Sequence, residues 1–124
     1  MLENPRRFAA GPDPFGRTWQ VEFRWLQTGI SIRHADTVDV KFVLWTEGPE
    51  KDQDDKQEKV IALPHPHLLL LSKETGHALT DPWCMRLAAR HLKYMIESGE
   101  DLEKTLVTLT LPALQRVAAD LQPA

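Results

Sequence analysis

Twice between Thr18 and Leu44, apolar side chains fall on every second residue. Trp19, Val21, Phe23 and Trp25 alternate with Gln20, Glu22 and Arg24, and Val38, Val40, Phe42 and Leu44 repeat the rhythm. Successive side chains of a strand point to opposite faces, so this period means two half-buried strands, each with one apolar side. A helix would scatter the same residues around its circumference. Trp25-Leu26 breaks the first alternation, and Gly29 is the expected place for a bulge that re-phases the run toward Ile30 and Ile32. His34-Ala35-Asp36 reads as a turn, and strands joined so tightly pair antiparallel.

The rest of the chain adds shorter strands and helices. Val60 to Leu63 resumes an apolar strand; Pro64 and Pro66 interrupt it and predict an edge, a bulge or an extended crossing segment. Leu68 to Leu71 predicts a short buried strand. Asp81-Pro82 combines an N-capping carboxylate with proline at the first helical position, and Gly99 supplies a stop, so a helix is expected over 82–98. At 100° per residue, Cys84, Met85, Ala88, Leu92 and Met95 cover one arc, which Trp83, Leu87, His91 and Tyr94 extend. That arc is wider than a single sheet contact requires. Either a second helix or a second subunit must cover the remainder. Thr105 to Leu111 alternates again as a strand, with a helix continuing from Asp101 as the competing reading. Pro112 then opens a short helix with Leu114, Val117, Ala118 and Leu121 at helical spacing. The expected fold class is α+β: an antiparallel sheet of about four to five strands, with two helices from the C-terminal half packed on one face.

Residues 1–16 hold Pro5, Pro12 and Pro14 with Gly11 and Gly16, and are expected to form an extended arm without regular structure, pinned by Phe8 and Phe15. Residues 17–124 are expected to form a single α+β domain with an acidic loop at 47–58. That loop carries six acidic residues and two lysines, a charge of −4 against −3 for the whole chain, which leaves the remainder at +1. A nearly neutral body lacks the dense positive surface of a nucleic-acid binder. A lone cysteine, Cys84, excludes an intramolecular disulfide and a cysteine-rich zinc site. The first sixteen residues hold no continuous apolar stretch, and the longest aliphatic run, Leu68 to Leu71, is far short of the ~20 residues that span a bilayer. A cytoplasmic protein with no membrane contact is expected.

The residues with chemical potential are few. In an extended segment His65 and His67 would point the same way and could chelate a divalent metal, with His34, Asp36, Glu74 or His77 as third ligand. Cys84 and His91 share a helix face but lie about 10 Å apart, too far for direct activation of the thiol. Cys84 is expected as a core residue, although a helix N-terminus would favour its thiolate. Arg86, Arg90 and Lys93 form a basic stripe that would suit a phosphate or, without interleaved aromatics, a nucleic acid less well. Trp45 shares its phase with Val43 on the outer sheet face, which suggests a contact surface. No phosphate-binding glycine loop, nucleophile elbow or zinc-protease motif occurs. The chain therefore reads first as a binding protein without cofactor that forms a homodimer or meets another protein. The contact would be made through Val43 and Trp45, or through Trp83, Leu87, His91 and Tyr94. A metal-dependent enzyme at His65 and His67 and an anion binder at Arg86, Arg90 and Lys93 are the alternatives.

Overall fold

The computed structural model describes residues 6–29, 36–46 and 56–121. Within them the chain forms β1 (Arg7–Ala10), β2 (Trp19–Gly29), β3 (Thr37–Thr46), β4 (Gln57–Pro64), α1 (His65–Thr75), α2 (Asp81–Ser98), β5 (Leu106–Thr108) and α3 (Leu111–Leu121). The strands make one five-stranded sheet in the order β1-β2-β3-β4-β5. The first three pairings are antiparallel; β5 joins β4 in parallel after the chain has passed through α1 and α2. The fold is α+β, and the sheet is mixed rather than purely antiparallel. A parallel neighbour requires a long crossover, which the helical segment between β4 and β5 supplies.

β1 corrects the expectation of an arm without regular structure. Arg7 to Ala10 pair with Glu22 to Trp19, and Phe8 packs against the core. The turn that follows is built on Asp13. Its backbone oxygen accepts from Gly16 N at 2.9 Å, the closure expected of an Asp-Pro-x-Gly turn. Phe15, by contrast, stays 82% exposed.

The bulge in β2 lies at Arg24, not Gly29. Register runs from Phe23↔Phe42 directly to Trp25↔Lys41, leaving Arg24 as the extra residue. Leu26 thereby returns to the core side opposite Val40, and Trp25 moves to the other face, 36% exposed. Ile30, Ile32, the turn residues His34 and Ala35, and 47–55 of the acidic loop lie outside the described residues. The final two residues of the expected loop, Gln57 and Glu58, begin β4.

The stretch after β4 differs most from expectation. His65-Pro66-His67 and Leu68 to Leu71 are helix, not strand: α1 starts directly at His65, whose N–H donates to Asp36 O at 2.7 Å. Pro66 sits in the first turn, where a missing N–H costs nothing. Leu68 and Leu71, three apart, are buried, while Leu69 and Leu70 are about half exposed. The described residues thus form three helices, not two. α2 matches its expected span, but Thr80 rather than Asp81 is the cap, its hydroxyl accepting from Trp83 N at 3.3 Å. Gly99 closes the helix with φ 78°, a left-handed conformation glycine adopts without penalty. Between 101 and 111 the strand reading holds for Leu106–Thr108, with Val107 and Leu109 buried and the threonines exposed.

One apolar cluster runs through the molecule. Val21, Val40, Phe42, Leu44, Ile61 and Val107 join the buried faces of all three helices in it. These strand residues share one phase of the sheet. Val43 and Ala62, of the opposite phase, are also buried but lie outside that cluster.

Candidate functional site

The extra breadth of the α2 arc is taken up by the chain itself. Leu87 is fully buried, and Trp83 and His91 are each less than a tenth exposed. α3 packs along α2 and contributes Leu114, Val117 and Ala118. Trp83, Leu87 and His91 therefore offer no surface to a second copy, and Tyr94 alone of that group is half-buried. Cys84 is enclosed too; burial and the nearby Asp81 carboxylate push its thiol up to about 11, so no thiolate is favoured there at neutral pH.

The two histidines of the expected metal site part company. Two residues apart on a helix, they leave the axis about 200° from each other. Of the candidate third ligands, His77 stacks on Trp83 with ring centroids 5.4 Å apart, and Glu74 accepts from Gln115 at 3.2 Å. Asp36 contributes its backbone oxygen to α1, and His34 lies outside the described residues. Among the described residues no three metal-ligating side chains converge. The basic stripe does lie on one helix face, but it is partly engaged: Arg90 Nε approaches Asp120 of α3 at 3.8 Å.

Val43 and Trp45 occupy the outer phase of β3. Val43 is flanked by Glu22 and Glu58, and Trp45 lies opposite Gln20. Cations overlie the rings of this face. Arg7 and Lys56 stand 5.9 and 5.1 Å from the Trp45 ring centroid, and Lys41 Nζ stands 5.6 Å from that of Trp25. Such contacts are worth about 0.5–1 kcal/mol each at exposed sites. Two ion pairs alternate with them, Arg24–Glu22 at 3.2 Å and Lys41–Glu58 at 3.0 Å.

A second feature was not legible in the sequence. A cleft of about 330 Å³ opens beside the C-terminal half of α2, lined from four directions by His91, Glu100 and Asp101, Thr108, Thr110 and Arg116. His91 Nδ1 is wholly buried with no hydrogen-bond partner among the described residues. Burial and the Arg116 guanidinium push the imidazole pKa below its ordinary value, against the opposing pull of Glu100 and Asp101. The ring is neutral at pH 7. The Arg116 guanidinium lies 4.0 Å above the Tyr94 ring centroid. The Glu100 carboxylate near its hydroxyl raises the Tyr94 pKa. Asp101, held at φ 57°, pairs with Lys104 at 3.2 Å. Of the lining residues only His91 was singled out by sequence as a candidate contact; the others come from separate elements that folding brings together. No described helix is long and apolar enough to cross a membrane. Comparison with known family models, with curated proteins and with solved structures finds no match to this chain.

Proposed function

We infer that this chain is an interaction protein that pairs with a second copy of itself through the outer sheet face, where Trp25 and Leu106 are exposed and Trp45 is half-buried, Val43 itself being buried within the chain. The observation that carries the reading is the division of strand residues by phase: one phase shares a single apolar cluster with the helices, and Val43 and Ala62 of the other phase lie outside it. On this reading all three helices cover one face of the sheet. The opposite face then presents Trp25, Trp45, Val60 and Leu106 with no helix of the described residues above them. An antiparallel or mixed sheet tolerates one wet face, but that face is normally polar. Leu106 at 59% exposure and Trp25 at 36% depart from that pattern.

Charge favours a second copy over a partner of one sign. The face bears Arg24 and Lys41 beside Glu22 and Glu58. A twofold-related copy meets both signs with both signs, as an isologous interface requires. Strand spacing and rise give the sheet roughly 550 Å² of flat area. Two such faces would bury about 1,100 Å², just above the ~1,000 Å² that a specific interface needs. The dimer is therefore weak and concentration-dependent, in the micromolar range or above. The lone buried cysteine fits a reducing cytoplasmic setting for such an assembly.

Sedimentation equilibrium tests the reading. The expected result is a mass rising from 14.2 kDa toward twice that value with concentration. Trp45→Glu should weaken pairing by roughly 30-fold, as loss of a central aromatic contact does. A wild-type chain that stays monomeric at about 1 mM, far above a micromolar dissociation constant, overturns it.

A further inference from the structure

The cleft beside α2 carries separated charges that do not neutralise each other. Arg116 and Glu100 both line it, yet no ion pair joins them. The Arg116 guanidinium lies over the Tyr94 ring instead. Stacking uses only the flat face of a guanidinium, so its in-plane N–H donors stay open to a planar oxyanion. The Glu100 carboxylate, which no ion pair engages among the described residues, has lone pairs for an ammonium. Asp101 adds negative charge at the Glu100 side, moderated by Lys104.

Further donors face the same space. β5 is an edge strand, and Leu109 N–H donates back to Ala62 O at 3.0 Å. Alternation along the strand turns the Thr108 N–H the other way, toward the open edge. His91 is more than nine-tenths buried, and its Nδ1 has no partner among the described residues, a cost that a core histidine normally avoids. Pro112 and Ala113 give the cleft an apolar wall. Its volume stands at the small end of the ~300–1,000 Å³ typical of ligand sites.

We propose that this cleft is a binding site for a small zwitterion of the α-amino-acid class, with the carboxylate on Arg116, the ammonium on Glu100 and a small aliphatic side chain against Pro112 and Ala113. A phosphate dianion would be repelled by Glu100 and Asp101, and a simple amine would leave the guanidinium unmet. The site is independent of the sheet face, and a failure of self-association leaves it standing.

The test is a two-dimensional amide and imidazole NMR titration of the full chain. L-alanine and L-valine are compared with propionate, ethylamine and inorganic phosphate, each up to ~10 mM, a range that captures dissociation constants near 1 mM. The expected result is a saturating shift at His91, Thr108 and Thr110 with an amino acid, and binding at least ~10-fold weaker for propionate and ethylamine. Arg116→Gln should abolish the response. Glu100→Gln should reduce amino-acid affinity to that of propionate. Both residues are exposed, and retained amide dispersion shows that each variant is folded. No shift at these residues with either amino acid overturns the proposal. So does phosphate or propionate binding as tightly as the amino acids, or an amino-acid affinity indifferent to Glu100→Gln.

Discussion

Asp13 shows how one side chain can fix a segment that composition marks as irregular. Its Oδ1 accepts from Phe15 N at 2.9 Å and Arg17 N at 2.8 Å; its Oδ2 accepts from Arg17 Nε at 2.8 Å and Trp19 Nε1 at 2.9 Å. Burial acts to raise the carboxyl pKa, but the bonds from Trp19, Arg17 and Phe15 outweigh it and hold it at about 2. The unfolded chain, with the ordinary value of 3.8, binds more protons between those limits. The contribution of Asp13 is therefore complete above about pH 3.8 and is lost as pH falls through 2. Asp13→Asn should melt at a lower temperature than wild type at pH 7, and the gap should close between pH 4 and 2; a gap constant across that range would contradict the assignment. The sequence marked this segment as irregular, and neither the turn on Asp13 nor its reach to Trp19 was read there, because the reach depends on β1 and β2 being paired. Lys59 gives the opposite lesson. Its phase with Ile61 and Leu63 points it inward, and it is 2% exposed. Its Nζ donates to Leu102 O at 2.6 Å and Lys104 O at 2.7 Å, tying the turn after α2 to β4. Burial lowers its pKa. Lys59→Met keeps the length but strands two carbonyl oxygens, and should cost about 1–3 kcal/mol in urea unfolding. A change under ~0.5 kcal/mol, the range of an ordinary surface substitution, would mean that water replaces the lysine without loss.

At the scale of elements, the long alternating runs and the capped helix were legible because each carries its own signal. α2 has a hydroxyl cap, an early proline and a terminal glycine, and its ends fall within a residue of expectation. The short elements were not. In α1, His65-Pro66-His67 fits either an extended segment or a helix start, since proline is accepted at both. Burial of Leu68 and Leu71 against α3 and β4 decides for the helix, and this tertiary contact is what the local sequence could not contain. With the helix, the shared side of His65 and His67 disappears. The β2 bulge was sensed but misplaced. A broken alternation says that an extra residue is present, not which one, and pairing with β3 identifies Arg24. This makes a sharp expectation. Deleting Arg24 leaves Phe23 and Leu26 on the core side and should keep the fold. Deleting Glu22 throws Val21 or Phe23 to the wrong face and should prevent it. Amide NMR spectra of the two deletions decide, and equal tolerance of both would contradict the register.

At the scale of the whole molecule, the sequence led to an α+β layering but not to a mixed sheet. β5 is three residues long, and the parity that reveals a strand does not reveal its direction. Direction is set by the long crossover through α1 and α2, which lets β5 return beside β4 and pair with it in parallel. The wide α2 arc had two explanations, and α3 supplies the intramolecular one, which leaves the Val43 and Trp45 face as the account's surface for self-association. That face is mixed in character, with tryptophans under cations, and its area sits near the lower limit of specific pairing. Mass alone would show that copies associate; it would not show where. The most direct measurement is an isotope-filtered NOE experiment on a concentrated equimolar mixture of labelled and unlabelled chain. Intermolecular contacts are expected from the methyl groups of Val60 and Leu106 to the Trp25 and Trp45 rings. Intermolecular contacts confined to helix residues, or none at all at concentrations where the mass has doubled, would contradict it.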